Sequence, residues 1–287
     1  MSAKLLEGKI IAGRIKEGLK KDVETMKQKT GSGPRLVSIQ VGENAASAVY
    51  IKSQAKTAEN LGIEYELKTL APSTTQDGLT REIETMNGNK KVTGIIIQLP
   101  LPKNIDHKAV MSSVLPEKDI EGMHPANLGR MLLGNAGLIP CTARAAMELI
   151  ESTGVKLYGK EAVIIGHSEI VGKPLSLLLL NKFATTTVCH IATGERGILP
   201  EHVKRAEILV VAVGKAGLVK GEWIKPGAVV IDVGINRVDG KLVGDVEFEK
   251  AKEKASFITP VPGGVGPLTV TMLMRNTVKA FKTEHGL

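Results

Sequence analysis

The stretch from Ala162 to Pro174 holds residues suited to binding chemistry: an apolar run reaches Gly166, His167 and Ser168 follow, and Gly172-Lys173-Pro174 opens a second apolar segment. A strand, a tight turn and a helix start in that order present backbone N–H groups and the positive end of a helix to a pyrophosphate. Ser168 stands where the G-x-G-x-x-G fingerprint has its second glycine, so the segment by itself reads equally as a structural strand–turn–helix. Two later runs favour the dinucleotide. Val211-Ala212-Val213-Gly214 and Asp232-Val233-Gly234-Ile235-Asn236 both reach glycine where the carboxyl edge of a parallel sheet would meet a ligand. The expected contacts are Gly166, His167, Ser168, Ile191, Gly214 and Ile235. Choice between NAD and NADP belongs after the second strand of this unit, where an acid favours the free ribose and a basic residue the 2′-phosphate. The chain has His190-Ile191-Ala192-Thr193 there, which meets neither rule. His167 supplies positive charge if protonated, or is simply a histidine on a surface turn.

The elements that must position these residues alternate. A polar-faced helix over 8–30, a strand over 35–41, a helix over 46–61 and a strand over 63–70 argue for a mainly parallel sheet. Residues 92–99 are nearly all apolar, as in a central strand covered on both faces, and Pro100 and Pro102 stop it. The segment 116–140 reads as loop, with Thr142 as the N-cap of a helix to about residue 152 that connects two domains. Beyond it a second α/β unit has strands over 161–165, 185–190, 208–213, 228–233 and 256–258, with a helix over 173–181. A last helix, 267–282, suits packing back on the first domain.

Bulk properties narrow the classes. At 287 residues the chain suits two domains, and 43% hydrophobic with 24% charged residues describes an ordinary globular protein. Cys141 and Cys189 sit in apolar segments without metal-ligand spacing, so neither a disulfide framework nor a metal site is expected. No apolar run approaches membrane-spanning length and the first residues lack a signal-peptide core, which predicts a cytoplasmic protein with no membrane partner. The net charge of +8 comes from scattered lysines and aromatics are only 3%, which argues against nucleic acid and for small polyanions.

Motifs along the whole chain then agree: Val41-Gly42 with Ser47 and Tyr50, Gln98-Leu99-Pro100-Leu101-Pro102, Pro116-Glu117-Lys118-Asp119, Ile139-Pro140-Cys141-Thr142, the Gly166 turn, and Pro260-Val261-Pro262-Gly263-Gly264-Val265-Gly266-Pro267. Together they resemble the methylenetetrahydrofolate dehydrogenase/cyclohydrolase family. The resemblance implies two α/β domains around a cleft. A folate-binding catalytic domain would span 1–141, with the helix 267–287 returning to it, and a Rossmann-like NAD(P)-binding domain would span 142–266. It also implies a homodimer, tetrahydrofolate substrates, and oxidation of 5,10-methylenetetrahydrofolate with NAD or NADP. Tyr50, Gln98, Leu99, Glu121, Pro262 and Gly263 are the folate contacts it carries over.

Two positions depart from the family pattern. Its Y-x-x-x-K motif reads Tyr50 and Gln54, and the lysine it expects serves cyclohydrolysis. Positions i and i+4 share a helix face, so Lys52 and Lys56 point elsewhere and replace nothing. A glutamine amide gives and accepts hydrogen bonds but moves no proton. In the family Gln98 pairs with the lysine, and here Gln54 is its expected partner. The second departure is Lys118-Asp119-Ile120-Glu121-Gly122, where Glu121 replaces an aspartate that binds the pterin. With Tyr50, Gln54, Gln98 and Glu121 as the catalytic set, hydride transfer, which needs positioning above all, should tolerate Gln54. Cyclohydrolysis should be weak or absent. The alternatives are a fully bifunctional enzyme and a non-catalytic folate-binding relative.

Overall fold

The computed structural model describes residues 2–287. They separate into two compact units, one of residues 2–13 with 140–269 and the other of residues 14–139 with 270–287. The chain opens with β1 (Lys4–Leu5) and α1 (Gly8–Thr30). The second unit continues with β2 (Arg35–Val41), α2 (Ala45–Leu61), β3 (Glu64–Leu70), α3 (Gln76–Gly88), β4 (Gly94–Ile97), α4 (His107–Ser113) and α5 (Pro125–Leu132).

Three strands of this unit form a parallel sheet in the order β3-β2-β4. Leu36, Val37 and Ile39 of the central strand are fully buried, whereas the edge strand β3 mixes exposed and half-buried positions and buries none fully. The helix starts are locally encoded. Thr75 Oγ1 accepts from the Gly78 amide at 3.2 Å, Asp106 caps α4 through Lys108 N at 2.8 Å, and Pro125 opens α5, where a missing N–H costs nothing. The α5 helix lies within a segment expected to be loop. Its first turn is held by an unusual cap, His124 Nδ1 accepting from Ala126 N at 3.0 Å.

The first unit contains α6 (Cys141–Ser152), β5 (Glu161–Ile165), α7 (Gly172–Leu180), β6 (Thr185–Cys189), α8 (Ile191–Glu195), α9 (Leu199–Arg205), β7 (Ile208–Val211), β8 (Val229–Asp232), β9 (Asn236–Val238), β10 (Lys241–Val243), α10 (Phe248–Lys254) and β11 (Phe257–Ile258), and α11 (Val265–His285) begins there. Its sheet is parallel with six strands in the order β1-β11-β8-β7-β5-β6, and β9 and β10 form a separate antiparallel hairpin. Buried Val163, Ile165, Leu209, Val211 and Val230 form part of its core. Numbered within the unit from β5 to β11, the strand order is 2-1-3-4-5, a doubly wound sheet whose switch point lies beside the first strand.

Three boundary expectations are corrected. Residues 2–13 belong to the dinucleotide-type unit, because Lys4 and Leu5 pair with Phe257 and Ile258 and extend its sheet. The α6 helix starts at Cys141 after Pro140, with no side-chain cap, so Thr142 lies inside the first turn. Nor is α6 a bare connector: Ala145, Ala146, Leu149 and Ile150 are buried, and the helix packs on α7 and β8. The α11 helix extends to His285, and Asn276 Nδ2 on it donates to the carbonyls of Ile120 at 2.8 Å and Ile139 at 2.9 Å, all within the second unit.

Candidate functional site

In the first unit a cavity of about 770 Å³ opens at the carboxyl ends of β5, β6 and β7, lined among others by Gly166, His167, Ser168, His190, Ile191 and Lys215. Strand geometry puts it there: β5 ends at Ile165, and Gly166 turns the chain with φ +115°, a backbone region closed to most L-residues. A Cβ on Gly166 would stand 2.3 Å from Ala212 O, and one on Gly172 would stand 1.9 Å from Gly166 O. The two glycines thus allow strand, turn and helix to close on one another. The Val171 amide donates to Ser168 Oγ at 3.2 Å, so the serine in place of the second glycine ties the turn to the start of α7. The imidazoles of His167 and His190 lie edge to face, 5.4 Å between centroids. Ile191 is 77% exposed on the cavity wall.

The wall beyond β7 is held by a carboxylate that the sequence reading passed over. Asp245, fully buried, accepts from the backbone amides of Val213 at 2.8 Å, Gly214 at 2.9 Å and Lys215 at 2.8 Å, and from Asn236 Nδ2 at 2.8 Å. Asp232, also buried, accepts from Gly234 N at 3.1 Å, Asp245 N at 3.0 Å and Val246 N at 2.9 Å. Burial pushes the Asp232 carboxyl up to about 6, the Asp245 carboxylate adds to the rise, and the backbone donors oppose it. Gly234 and Gly244 have no room for a Cβ, which would meet Asp245 at 2.1 Å and Asp232 at 1.9 Å respectively. Gly214 itself adopts φ +67° and is reached through this clamp. Ile235 lies instead in a second cavity of about 250 Å³, together with Lys9, Pro262 and Gly263. Pro262 and Gly263, expected as folate contacts, are therefore in the same unit as the Gly166 turn.

The second unit gathers the remaining predicted residues along its sheet. On α2, Ser47, Ile51, Gln54, Thr57, Ala58 and Leu61 are buried and Tyr50 half-buried, while Lys52 and Lys56 are exposed, as the helical period requires. Gln98, just past β4, donates from Nε2 to Gln54 Oε1 at 3.0 Å and to Ser38 Oγ at 2.9 Å. The pairing expected between Gln98 and Gln54 is thus present. Tyr65 on β3 joins it, its hydroxyl donating to Gln54 Oε1 at 3.1 Å; burial raises that phenol above its ordinary range. The register of β3 with β2 places Tyr65 opposite Leu36.

Glu121 follows a segment that runs beside β4, with Ile95 bridged to Asp119. Lys118 anchors the segment by donating to the carbonyls of Met86, Asn87 and Asn89 at the end of α3, a cation where the helix dipole is negative. Asp119 Oδ2 accepts from His124 N at 2.7 Å and Asn127 Nδ2 at 2.9 Å. Glu121 is half-buried by surface, yet its carboxyl is desolvated enough that burial, with the Asp119 carboxylate behind it, pushes it up to about 8. Near neutrality it is mainly a neutral acid, able to donate as well as accept. Leu99, next to Gln98, is 41% exposed.

A doubly wound parallel sheet with a glycine-turned cavity at its switch point defines a dinucleotide-binding class of protein. The tetrahydrofolate dehydrogenase/cyclohydrolase catalytic-domain model matches residues 6–121, and the NAD(P)-binding-domain model of the same family matches residues 140–285. The chain belongs to that family. It is 52% identical over 283 residues to a bifunctional protein FolD of Bacillus pumilus, covering 98% of this chain and 99% of the relative. Its fold is similar to the crystal structure of the bifunctional enzyme FolD from Campylobacter jejuni, at TM-score 0.95 and 44% identity over 99% of this chain and all of the other. The Trypanosoma brucei dehydrogenase-cyclohydrolase, solved with NADP and an inhibitor, aligns at TM-score 0.95 and 39% identity over the full length of both chains. These relatives are named for two activities, which favours the bifunctional alternative over the expected loss of cyclohydrolysis.

Proposed function

We propose that the chain oxidises 5,10-methylenetetrahydrofolate to the 5,10-methenyl compound with NAD⁺ or NADP⁺. It would also hydrolyse that product to 10-formyltetrahydrofolate, at a lower rate than it forms it. One observation carries the reading: the switch-point cavity, with its Gly166 and Gly172 cradle, lies within residues matching the family's NAD(P)-binding model. The close backbone packing at those glycines, where any Cβ would collide, supports a tight turn that brings its amides and the start of α7 to a pyrophosphate. Gly166, His167, Ser168, Ile191 and Gly214 are the residues to hold the dinucleotide, with Ile235 toward Pro262 and Gly263. When bound it supplies the two-electron acceptor.

Tyr50, Gln98, Leu99 and Glu121 are the residues to hold the folate. The one-carbon bridge loses a hydride, and the neighbouring nitrogen lone pair stabilises the cation that remains. No proton is exchanged, so the residues have only to orient the substrate and exclude water. Hydrolysis adds water to the methenyl carbon and breaks one carbon–nitrogen bond, with a proton moved to the departing nitrogen. Gln54 carries none, which is the reason for the lower rate; a positioned acid or base contributes about 10²- to 10⁴-fold. A homodimer, which the family resemblance implies, completes the reading.

The test is an absorbance assay with 5,10-methylenetetrahydrofolate and each dinucleotide in separate cuvettes, followed by the decay of the methenyl product. Reduction of one dinucleotide, then methenyl decay faster than the spontaneous rate but slower than its formation, supports the reading. No reduction with either dinucleotide leaves a folate-binding relative without catalysis.

A further inference from the structure

A third cavity, of about 340 Å³, lies wholly within the second unit. It opens at the amino end of β4, where Thr93 lines it, whereas Gln98 follows the carboxyl end of the same strand. At about 3.3 Å per residue those two residues are about 16 Å apart, so the cavity is separate from the residues assigned to folate. What marks it is charge. Three bases come to its walls from separate elements: Lys90 just after α3, Arg130 on α5 and Lys279 on α11. Arg130 Nη1 donates to Asn127 Oδ1 at 3.4 Å, and Lys279 Nζ donates to the Gly137 carbonyl at 2.7 Å. The exposed Lys90 ammonium has no hydrogen bond or ion pair among the described residues. Lys118, buried in the wall, spends its three N–H groups on the carbonyls of Met86, Asn87 and Asn89, so it contributes charge and no donor. Burial lowers its pKa, and the Glu284 and Glu117 carboxylates, which also line the cavity, oppose that fall. Four bases against two acids leave two excess positive charges. Walls of low dielectric that carry one sign of charge concentrate the field on the space they enclose.

We propose that this cavity is a second small-molecule site, built for a phosphate monoester: the phosphate lies against Lys90 and Arg130, and the organic group it carries lies on the apolar wall of Leu115, Leu138 and Ala280. The cavity is of the size that small ligands occupy. A phosphate monoester carries a charge of about −1.5 to −2 near neutrality on a single centre, which matches the excess, whereas a monocarboxylate offers about half of it. The Arg130 guanidinium keeps further N–H groups for phosphate oxygens beyond the one given to Asn127, and Lys90 supplies a mobile point charge. The folate and dinucleotide reading uses neither residue, so the inference stands or falls independently of it.

The experiment follows backbone amide chemical shifts of the isotopically labelled full chain during titration with phenyl phosphate, with inorganic phosphate and, at matched ionic strength, with chloride. Saturable shifts are expected at Lys90, Glu117, Arg130 and Gly137, read separately from any at the Gly166 turn. Arg130→Gln and Lys90→Gln should each weaken phenyl phosphate binding about 3- to 10-fold, the loss of one charge-assisted contact. Glu284→Gln removes an opposing charge and should tighten it about 2- to 5-fold, a gain that damage to the fold does not produce. Phenyl phosphate binding more tightly than inorganic phosphate supports the monoester and its apolar wall. Equal or tighter binding of inorganic phosphate overturns the assignment to a monoester. Absence of saturable shifts at these amides, shifts that chloride reproduces, or shifts unchanged in a double variant of Lys90→Gln with Arg130→Gln overturns the site itself.

Discussion

Replacing Asp245 with asparagine tests the clamp behind the dinucleotide cavity. Four donors converge on this carboxylate, two on each oxygen: Val213 and Gly214 amides on Oδ2, Lys215 amide and Asn236 Nδ2 on Oδ1. An asparagine keeps one oxygen and turns an N–H₂ toward the other pair, so two buried donors lose their acceptor. At about 1–3 kcal/mol each, the loss is about 2–6 kcal/mol. One effect opposes it. Removing the Asp245 charge relieves the Asp232 carboxyl, but burial rather than that charge is the larger cause of its rise, so the relief is the smaller quantity. The net expectation is destabilisation of at least about 2 kcal/mol, concentrated at the cavity wall, since Val213 and Lys215 line it. Amide hydrogen exchange at Val213, Gly214 and Lys215, with a urea titration of the same protein, reads both quantities. Exchange at those three amides as slow as in the unmodified protein, with stability unchanged, would refute the reasoning.

Three further outcomes follow from the same geometry. Glu121 has a folded-state value of about 8 against 4.5 for the free side chain. Its ionisation therefore opposes folding, and stability is lost as pH rises through that window. Glu121→Gln should melt like the unmodified protein near the bottom of the window and progressively higher toward its top; a pH-independent difference contradicts this. Gln54→Lys should raise methenyl hydrolysis about 10²- to 10⁴-fold while leaving dinucleotide reduction within about tenfold, and an unchanged decay of methenyl absorbance would show that proton transfer at this position is not limiting. Gly166→Ala should abolish dinucleotide binding, because its Cβ would meet Ala212 O at 2.3 Å and φ is +115°; calorimetric titration with NADP⁺ checks it.

The sequence made the cofactor turn legible because three local signals coincide there: an apolar strand, a glycine that must turn sharply, and an apolar helix start. The α2 face was legible for the same reason, with Tyr50 and Gln54 one helical turn apart. What escaped depends on pairing between distant segments. The β1 strand is two residues long and has no signal apart from its partner β11. The α5 helix hides in a segment rich in turn residues, capped by a histidine side chain rather than by the usual serine, threonine or acid. Asp245 reads as one more acid after a glycine until the strand order brings it under the loop that follows β7, and Tyr65 reads as an edge-strand aromatic until the register sets it against Gln54. Thr142 looked like a cap because of its type, while Pro140 marks the actual entry into α6.

The central claim concerns one hydride. With 5,10-methylenetetrahydrofolate carrying two deuterium atoms on its one-carbon bridge, mass spectrometry of the reduced dinucleotide tests it most directly. The account predicts one deuterium in each reduced dinucleotide and one left on the methenyl product. Reduced dinucleotide without deuterium, or no reduction at all, would contradict it.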